Sequence, residues 1–281
     1  VCKGHAGTKI LFQKETIATA QPGSIILDSQ LHSQPAVKQP ATVLGVIPAR
    51  LASTRLTRKV LRTIAGRPML AWVYEAATAC PQLDRVVIAT DSDEVAALCR
   101  QNNWPVQLTS TELPSGTDRV HAVAQQIPAD IYVNIQGDEP LLKPEHLTSL
   151  LRPFAQPHVE VSTLKVLCTP ENIANPNAVK VVTAADGRAL YFSRATIPYD
   201  RDARVDNAPK YWKHIGLYGY RKATLQRFPT LPLSALEQTE RLEQLRFLEN
   251  NIDIYVEPTN FDTIGVDTEE DLHRVEALLR G

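Results

Sequence analysis

The sequence predicts an α/β fold, a mainly parallel sheet covered by helices on both faces, and three observations carry that prediction. Short apolar runs of strand length recur at 43–48, 85–90 and 131–135, and each reads as a buried strand rather than a half-exposed one. Between them lie stretches of helical period, and strands alternating with helices favour parallel pairing through crossovers. Each run also ends in polar residues, and ligands of such sheets bind at the carboxyl ends of the strands.

The elements follow in order. Residues 43–59, VLGVIPARLASTRLTRK, pass from an apolar strand into a loop carrying Arg50, Ser53, Thr54, Arg55 and Lys59. Such a loop offers cations, hydroxyls and backbone N–H groups to a polyanion such as a nucleoside triphosphate. No GxxxxGK[ST] spacing is present, so it is not a Walker loop, and a solvated basic loop is the plainer alternative. Met69, Leu70, Trp72, Val73, Ala76 and Ala77 then recur at helical spacing, with Pro68 in the first turn. RVVIAT at 85–90 is a second strand, and Asp91 or Ser92 caps a helix over 94–101. Residues 106–108 form a short third strand, SGTDR at 115–119 opens a helix to 126, and 131–135 is a further strand running into Gln136-Gly137-Asp138-Glu139-Pro140.

From residue 159 the pattern becomes antiparallel. Strands are expected at 159–167, 179–184 and 188–194, with Asp186-Gly187 as a hairpin signal. A loop dense in Asp, Arg and Pro spans 197–211, followed by a strand over 213–220, a helix over 240–250, a strand over 253–257 and a last helix over 268–279. Residues 1–42 are rich in Gln, Ser, Thr and Pro and read as a poorly ordered extension. Residues 43–281 read as one domain, with the insertion at roughly 159–220.

Composition narrows the function classes. A chain of 281 residues with 43% hydrophobic and 22% charged residues and a net charge of -1 is an ordinary globular sequence. It lacks the basic excess of a nucleic-acid binder and any apolar run of membrane-span length. Four scattered cysteines, Cys2, Cys80, Cys99 and Cys168, give neither a zinc motif nor a disulfide framework, which points to a reducing, cytoplasmic compartment. Cys2 with His5 is better read as two incidental polar residues than as a metal site. No GxSxG, HExxH or GxGxxG is present.

Two carboxylates stand out at strand ends. Asp138 follows an apolar strand, and Asp267 precedes the last helix; both are hard-oxygen ligands of the kind Mg²⁺ takes. Each has a simpler reading, a turn for Asp138 and an N-cap by Asp267 or Thr268 for the other. His214 sits in an alternating run where a satisfied half-buried histidine is as good a reading as a base. At helical spacing Glu240, Glu243 and Gln244 share a face, either solvated or facing a polyol.

Nine blocks in order carry a family resemblance: IPARLASTRL, ATDS, SGTDR, VNIQGDEP, NPNAVKVV, ALYFSRATIPYDRD, HIGLYGYR, LEQTERLEQLR and GVDTEEDL. From residue 43 onward the chain resembles the 3-deoxy-manno-octulosonate cytidylyltransferases, or CMP-Kdo synthetases. That resemblance implies a Rossmann-like three-layer nucleotidyltransferase sheet whose antiparallel insertion, with the Arg201 region, forms a homodimer. It also implies CTP and Kdo as substrates, CMP-Kdo and pyrophosphate as products, Mg²⁺ as cofactor, and a place in lipopolysaccharide-type glycan synthesis. By the resemblance, Pro48, Ala49, Arg50, Ser53, Lys59, Ser115, Gly116 and Asp138 bind the nucleotide. Gln136, Arg194, His214, Tyr218, Glu243 and Gln244 line the sugar site, Asp138 and Asp267 hold Mg²⁺, and Arg50, Lys59, Asp138 and Asp267 carry the catalysis.

The chain departs from that family in two places. Thr57-Arg58 replaces the usual Pro-Gly before the lysine, and Ser110 and Leu113 replace an arginine and a histidine before SGT. Arg58 is therefore expected to stand in for the missing arginine. Two alternatives stay open: a nucleotidyltransferase for another acidic sugar, an amino-octulosonic or, less favoured by the sugar-side blocks, a sialic acid, and a non-catalytic nucleotide-binding relative.

Overall fold

The computed structural model describes residues 41–51, 56–202 and 210–280. The expected extension therefore lies almost wholly outside the described residues, as do Cys2, His5, Ser53, Thr54, Arg55 and Arg204.

The strands are β1 (Val43–Pro48), β2 (Thr63–Ile64), β3 (Arg67–Pro68), β4 (Arg85–Thr90), β5 (Val106–Leu108), β6 (Ile131–Asn134), β7 (Val161–Leu167), β8 (Lys180–Thr183), β9 (Ala189–Ser193), β10 (Trp212–Arg221) and β11 (Ile254–Pro258). The α-helices are α1 (Met69–Thr78), α2 (Asp93–Gln101), α3 (Gly116–Ala124), α4 (Pro144–Leu151), α5 (Pro170–Ile173), α6 (Lys222–Arg227), α7 (Ala235–Glu240), α8 (Leu245–Glu249) and α9 (Glu269–Arg280).

The main sheet runs β11-β7-β10-β6-β1-β4-β5, with β8 and β9 attached beside β10 and β2–β3 forming a separate hairpin. β1 pairs in parallel with β4 and β6, β4 with β5, and β11 with β7, whereas β10 is antiparallel to both β6 and β7. A single reversed strand thus interrupts an otherwise parallel path. β7 and β10 belong to this central sheet, so of the expected insertion only the β8–β9 hairpin stands to one side.

Why β1 and the middle of β4 are apolar on both faces is visible in how they share their side chains between two cores. Val43 and Ile47 enter one core with Leu70 and Val73 of α1 and Leu147 and Leu150 of α4. Leu44 and Val46 enter the other with Val120 and Val123 of α3, Leu225 of α6 and Phe247 of α8. β4 divides the same way, Val86 and Ile88 against Val87 and Ala89. Successive side chains alternate faces, and each fully buried Val, Ile or Leu contributes about 1.5–3 kcal/mol. A polar residue at Val46, which is 0% exposed, would break this packing. A smaller cluster seats α9 through Leu272 and Val275 against Leu56, Ile64 and Met69.

The helices start where side chains satisfy their first N–H groups. Ser92, rather than Asp91, accepts from the Val95 amide at 3.4 Å. Ser115 accepts from the Asp118 amide at 3.1 Å. Pro68 occupies the N-cap of α1 instead of its first turn. The helix expected over 240–250 is interrupted: Arg241 takes a left-handed conformation with φ 55° and ends α7, and α8 starts only at Leu245. Glu243 and Gln244 therefore sit in a turn, and helical spacing does not describe how they relate to Glu240. α4 and α6 fall in stretches where the sequence reading assigned no helix. No helix among the described residues is long and apolar enough to cross a membrane.

Candidate active site

β1, β4 and β6 run in parallel and end at Pro48, Thr90 and Asn134, so the loops that follow them share one edge of the sheet. Gly137 lies so close to β1 that a Cβ there would stand 2.7 Å from the Pro48 carbonyl oxygen. Gly116 faces the Pro48 ring, a Cβ there falling at 3.7 Å. Pro48, Gly116 and Gly137 are thus packed together, and the two glycines let three loops approach one another.

Ala49 is fully buried. Its N–H donates to the Ala89 carbonyl at 2.8 Å and its own carbonyl accepts from Thr90 Oγ1 at 2.6 Å. Both of its backbone polar groups are thus engaged in holding the bend after β1. Arg50 reaches out and donates to the Pro114 carbonyl at 3.1 Å and, at 3.5 Å, to that of Leu113. This ties the basic loop to the turn before α3. At that turn the Ser115 hydroxyl donates to Asp118 Oδ2 at 2.7 Å while accepting from its amide. Behind it the Thr117 hydroxyl donates to Glu243, whose carboxyl is shifted upward by burial.

Lys59 is the centre of the constellation. Its ammonium donates to Asp138 Oδ2 at 2.5 Å and to Asp267 Oδ1 at 2.8 Å. Burial opposes the charge, yet the attraction of Asp138 and the bonds to both carboxylates prevail and raise the Lys59 pKa, so the side chain is cationic. The two acids are 129 positions apart in sequence and meet because the Val266 N–H donates to the Asp138 carbonyl at 2.9 Å, joining their loops. Capping of α9 falls to Thr268: its Oγ1 accepts from the Asp271 amide at 3.1 Å, and Asp271 Oδ2 accepts from the Thr268 amide at 2.9 Å. Asp267 is accordingly directed at Lys59 rather than at the helix start.

Beside these acids opens a cleft of about 640 Å³ that Asp267, Glu139, Arg194 and His214 help to line. β10 bulges between Ile215 and Tyr218, and the displaced Gly216 carbonyl accepts from Gln136 Nε2 at 3.1 Å. Bulges of this kind re-aim side chains beside functional sites. Thr163 Oγ1 lies 2.8 Å from the Leu217 carbonyl and 2.9 Å from His214 Nε2. The one hydroxyl proton goes to a carbonyl, so His214 Nε2 carries hydrogen and Nδ1 is an acceptor. Burial, helped by Lys213, lowers the His214 pKa to about 3; the ring is neutral at physiological pH and accepts rather than donates at Nδ1.

The sugar-side candidates divide. Arg194 and His214 line the cleft, and Tyr218 packs its ring 5.4 Å from that of His214, with a buried hydroxyl that has no partner. Gln136 braces the bulge, and Glu243 stands against α3. Gln244 is buried. Arg58, expected to stand in for the missing arginine, pairs with Glu94 of α2. Sequence reasoning passed over Arg119, which is 0% exposed and donates to Asp91 Oδ2 at 2.9 Å and to Thr109. The signal was there, since an arginine one position before Val120 in α3 falls inside the helix that backs the loops after β4 and β5.

A family model described as "Cytidylyltransferase" matches residues 44–254. The chain belongs to the cytidylyltransferase family. It is 68% identical over 237 residues to the 3-deoxy-manno-octulosonate cytidylyltransferase of Acidobacterium capsulatum, covering 84% of this chain and 96% of that protein. The enzyme of the same name from Nitratidesulfovibrio vulgaris is 49% identical over 246 residues, 86% of this chain and 97% of that one. Among solved structures, a CMP:2-keto-3-deoxy-manno-octonic acid synthetase complexed with CTP superposes with TM-score 0.82 at 40% identity, covering 85% of this chain and 99% of that chain. A glucose-1-phosphate thymidylyltransferase described as putative, from Bacillus anthracis, has TM-score 0.60 at 15% identity, over 85% of this chain and 96% of that chain, a likeness of fold alone. The mainly parallel, helix-covered sheet expected from the sequence is the fold of this family.

Proposed function

We propose that this chain transfers the cytidylyl group of CTP to 3-deoxy-manno-octulosonate, releasing pyrophosphate. The observation that carries the reading is the convergence of Lys59, Asp138 and Asp267 beside a cleft that also holds Arg194 and His214. In the transfer, the anomeric hydroxyl of the sugar attacks the α-phosphorus and the bond to the departing pyrophosphate breaks. Negative charge grows on phosphate oxygens, so catalysis here rests on placement and on fixed positive charge.

Arg50 and Lys59 supply that charge, and the α3 N-terminus behind Ser115 and Gly116 adds backbone donors. His214 Nδ1 offers an acceptor to sugar hydroxyls, with the ring of Tyr218 packed beside the imidazole. Asp138 and Asp267 fit Mg²⁺: they already converge on one cation, both offer oxygen, and no third acidic, His or Cys side chain joins them among the described residues. That donor set suits an ion that completes its shell with waters and substrate phosphates. When bound, Mg²⁺ would offset charge on those phosphates. With the ion held by Asp138 and Asp267, the Lys59 ammonium now shared between them would be left to meet the triphosphate. A cytoplasmic homodimer, assembled through the β8–β9 side and acting in lipopolysaccharide-type glycan synthesis, is part of the same proposal.

Pyrophosphate release measured with CTP and a panel of acidic sugars tests it. Turnover with the octulosonate well above that with sialic acid is the expected result. Turnover only with another acid would reassign the substrate, and none with any acid would refute the transfer.

A further inference from the structure

The substrate named above is a 2-keto acid, so its carboxylate is bonded to the same anomeric carbon whose hydroxyl attacks phosphorus. A group that binds this carboxylate also sets the line of attack. Four side chains lining the cleft can bear positive charge: Arg194, Lys213, His214 and Arg274. Three are committed. Lys213 donates to Asp262 Oδ1 at 2.8 Å and to the Thr263 carbonyl at 2.7 Å. Arg194 braces the hairpin, donating from Nε to the Glu240 carbonyl at 2.7 Å and from its two terminal nitrogens to those of Pro176 at 3.1 Å and Arg241 at 3.3 Å. His214 is neutral and hydrogen-bonded to Thr163.

Arg274 is different. It stands on α9, is exposed, lines the cleft, and makes no hydrogen bond or ion pair with any described residue. Of the acids near it, Asp271 is held by Thr268 in the helix cap, Glu270 shares its face of α9 one turn earlier without pairing with it, and Glu171 feels its charge only at a distance. Asp267 lies two residues before α9 begins at Glu269, and Arg274 stands five residues beyond that start, roughly 7.5 Å along a helix rising 1.5 Å per residue. Long helical side chains lean toward the N-terminus, and it is this end of α9 that Asp267 precedes in the lining of the same cleft. Across the cleft stand Asn172 and Asn177, whose amides suit sugar hydroxyls.

We propose that Arg274 is the residue that binds the carboxylate of the acidic sugar and so aligns its anomeric hydroxyl, an inference that rests on the cytidylyl-transfer reading. A guanidinium meets a carboxylate through two parallel hydrogen bonds, which fixes orientation as well as charge. Steady-state kinetics of the parent, Arg274→Gln and Arg274→Lys test this, with the octulosonate, its C1 carboxamide and CTP as varied substrates and circular dichroism to check folding. The expected result is a rise of about 10- to 100-fold in KM for the octulosonate in Arg274→Gln, a smaller rise in Arg274→Lys, and an unchanged KM for CTP. The parent should prefer the acid over its carboxamide, and Arg274→Gln should lose that preference. A KM within about twofold of the parent, or an intact preference, would overturn the assignment; Arg274→Lys is read by the same criteria if Arg274→Gln does not fold. No turnover of the acid by the parent would refute the transfer itself and this inference with it.

Discussion

Gly137→Ala probes how closely the loop bearing Asp138 must approach β1. The added methyl would fall 2.7 Å from the Pro48 carbonyl oxygen, where ordinary contact begins at 3.4 Å, so about 0.7 Å of relief must come from backbone movement. The obstacle is main chain on a strand paired on both sides, with β4 and β6, and the yielding part is the loop holding Gln136, Asp138 and Glu139. Overpacking of this kind costs about 1–3 kcal/mol. For a domain this size that lowers Tm by about 2–10 °C. Catalysis should suffer more than stability, since a displacement approaching 1 Å at a reacting centre can cost about 100-fold. The expected outcome is a kcat lower by about 10- to 100-fold in a protein that still melts cooperatively, measured by pyrophosphate release and calorimetry. Parent-like kcat together with a lowered Tm would show that the loop shifts without moving Asp138, and would refute the reasoning.

Two further outcomes follow from particular residues. Arg58 takes φ 56°, and its exposed pair with Glu94 is worth at most about 1 kcal/mol; glycine relieves the left-handed strain that alanine keeps, so Arg58→Gly should be more stable than Arg58→Ala by about 1 kcal/mol in urea unfolding. Equal stabilities would contradict the strain. His214, with its pKa lowered to about 3, favours the neutral form in the fold: its contribution to stability is complete above the unfolded value near 6.5 and is lost as pH falls toward 3. Glu139, raised to about 7 by burial and by Asp138, works in the opposite sense, gaining stability as pH falls from 7 toward 4.5. The His214 share is therefore read from the difference between the parent and His214→Gln, which should widen at high pH and narrow between pH 6.5 and 3; a constant difference would show that the imidazole titrates normally.

The sheet was legible because a strand buried on both faces needs a near-continuous apolar run, and β1, β4 and β6 each carry one, with polar residues only at their ends. Asp138 and Lys59 were legible as strand-end and loop residues of the right chemistry. What local pattern could not supply was register between distant loops. The bond from Val266 to the Asp138 carbonyl brings Asp267 to Lys59, and no periodicity encodes it. The turn at Arg241 escaped for a related reason: a left-handed arginine carries no glycine to announce it, so a run of good helix formers read as one helix. Arg274 was hidden too, since an arginine on an amphipathic terminal helix is ordinarily solvated, and only the cleft beside it gives it a task. The capping of α9 shows the converse. Thr268 and Asp271 satisfy the helix start between them, so the cap and the acid at 267 are served by different residues.

The account stands most directly on Asp138 and Asp267 acting together on one cation beside the cleft. Mg²⁺ titrated against pyrophosphate release, with CTP and the octulosonate, in the parent and in Asp138→Asn and Asp267→Asn, measures this. The account predicts that both variants fold, that each loses about 100-fold or more in turnover, and that the Mg²⁺ needed for half-maximal rate rises in both. Parent-like turnover at the parent's Mg²⁺ requirement in either folded variant would contradict it.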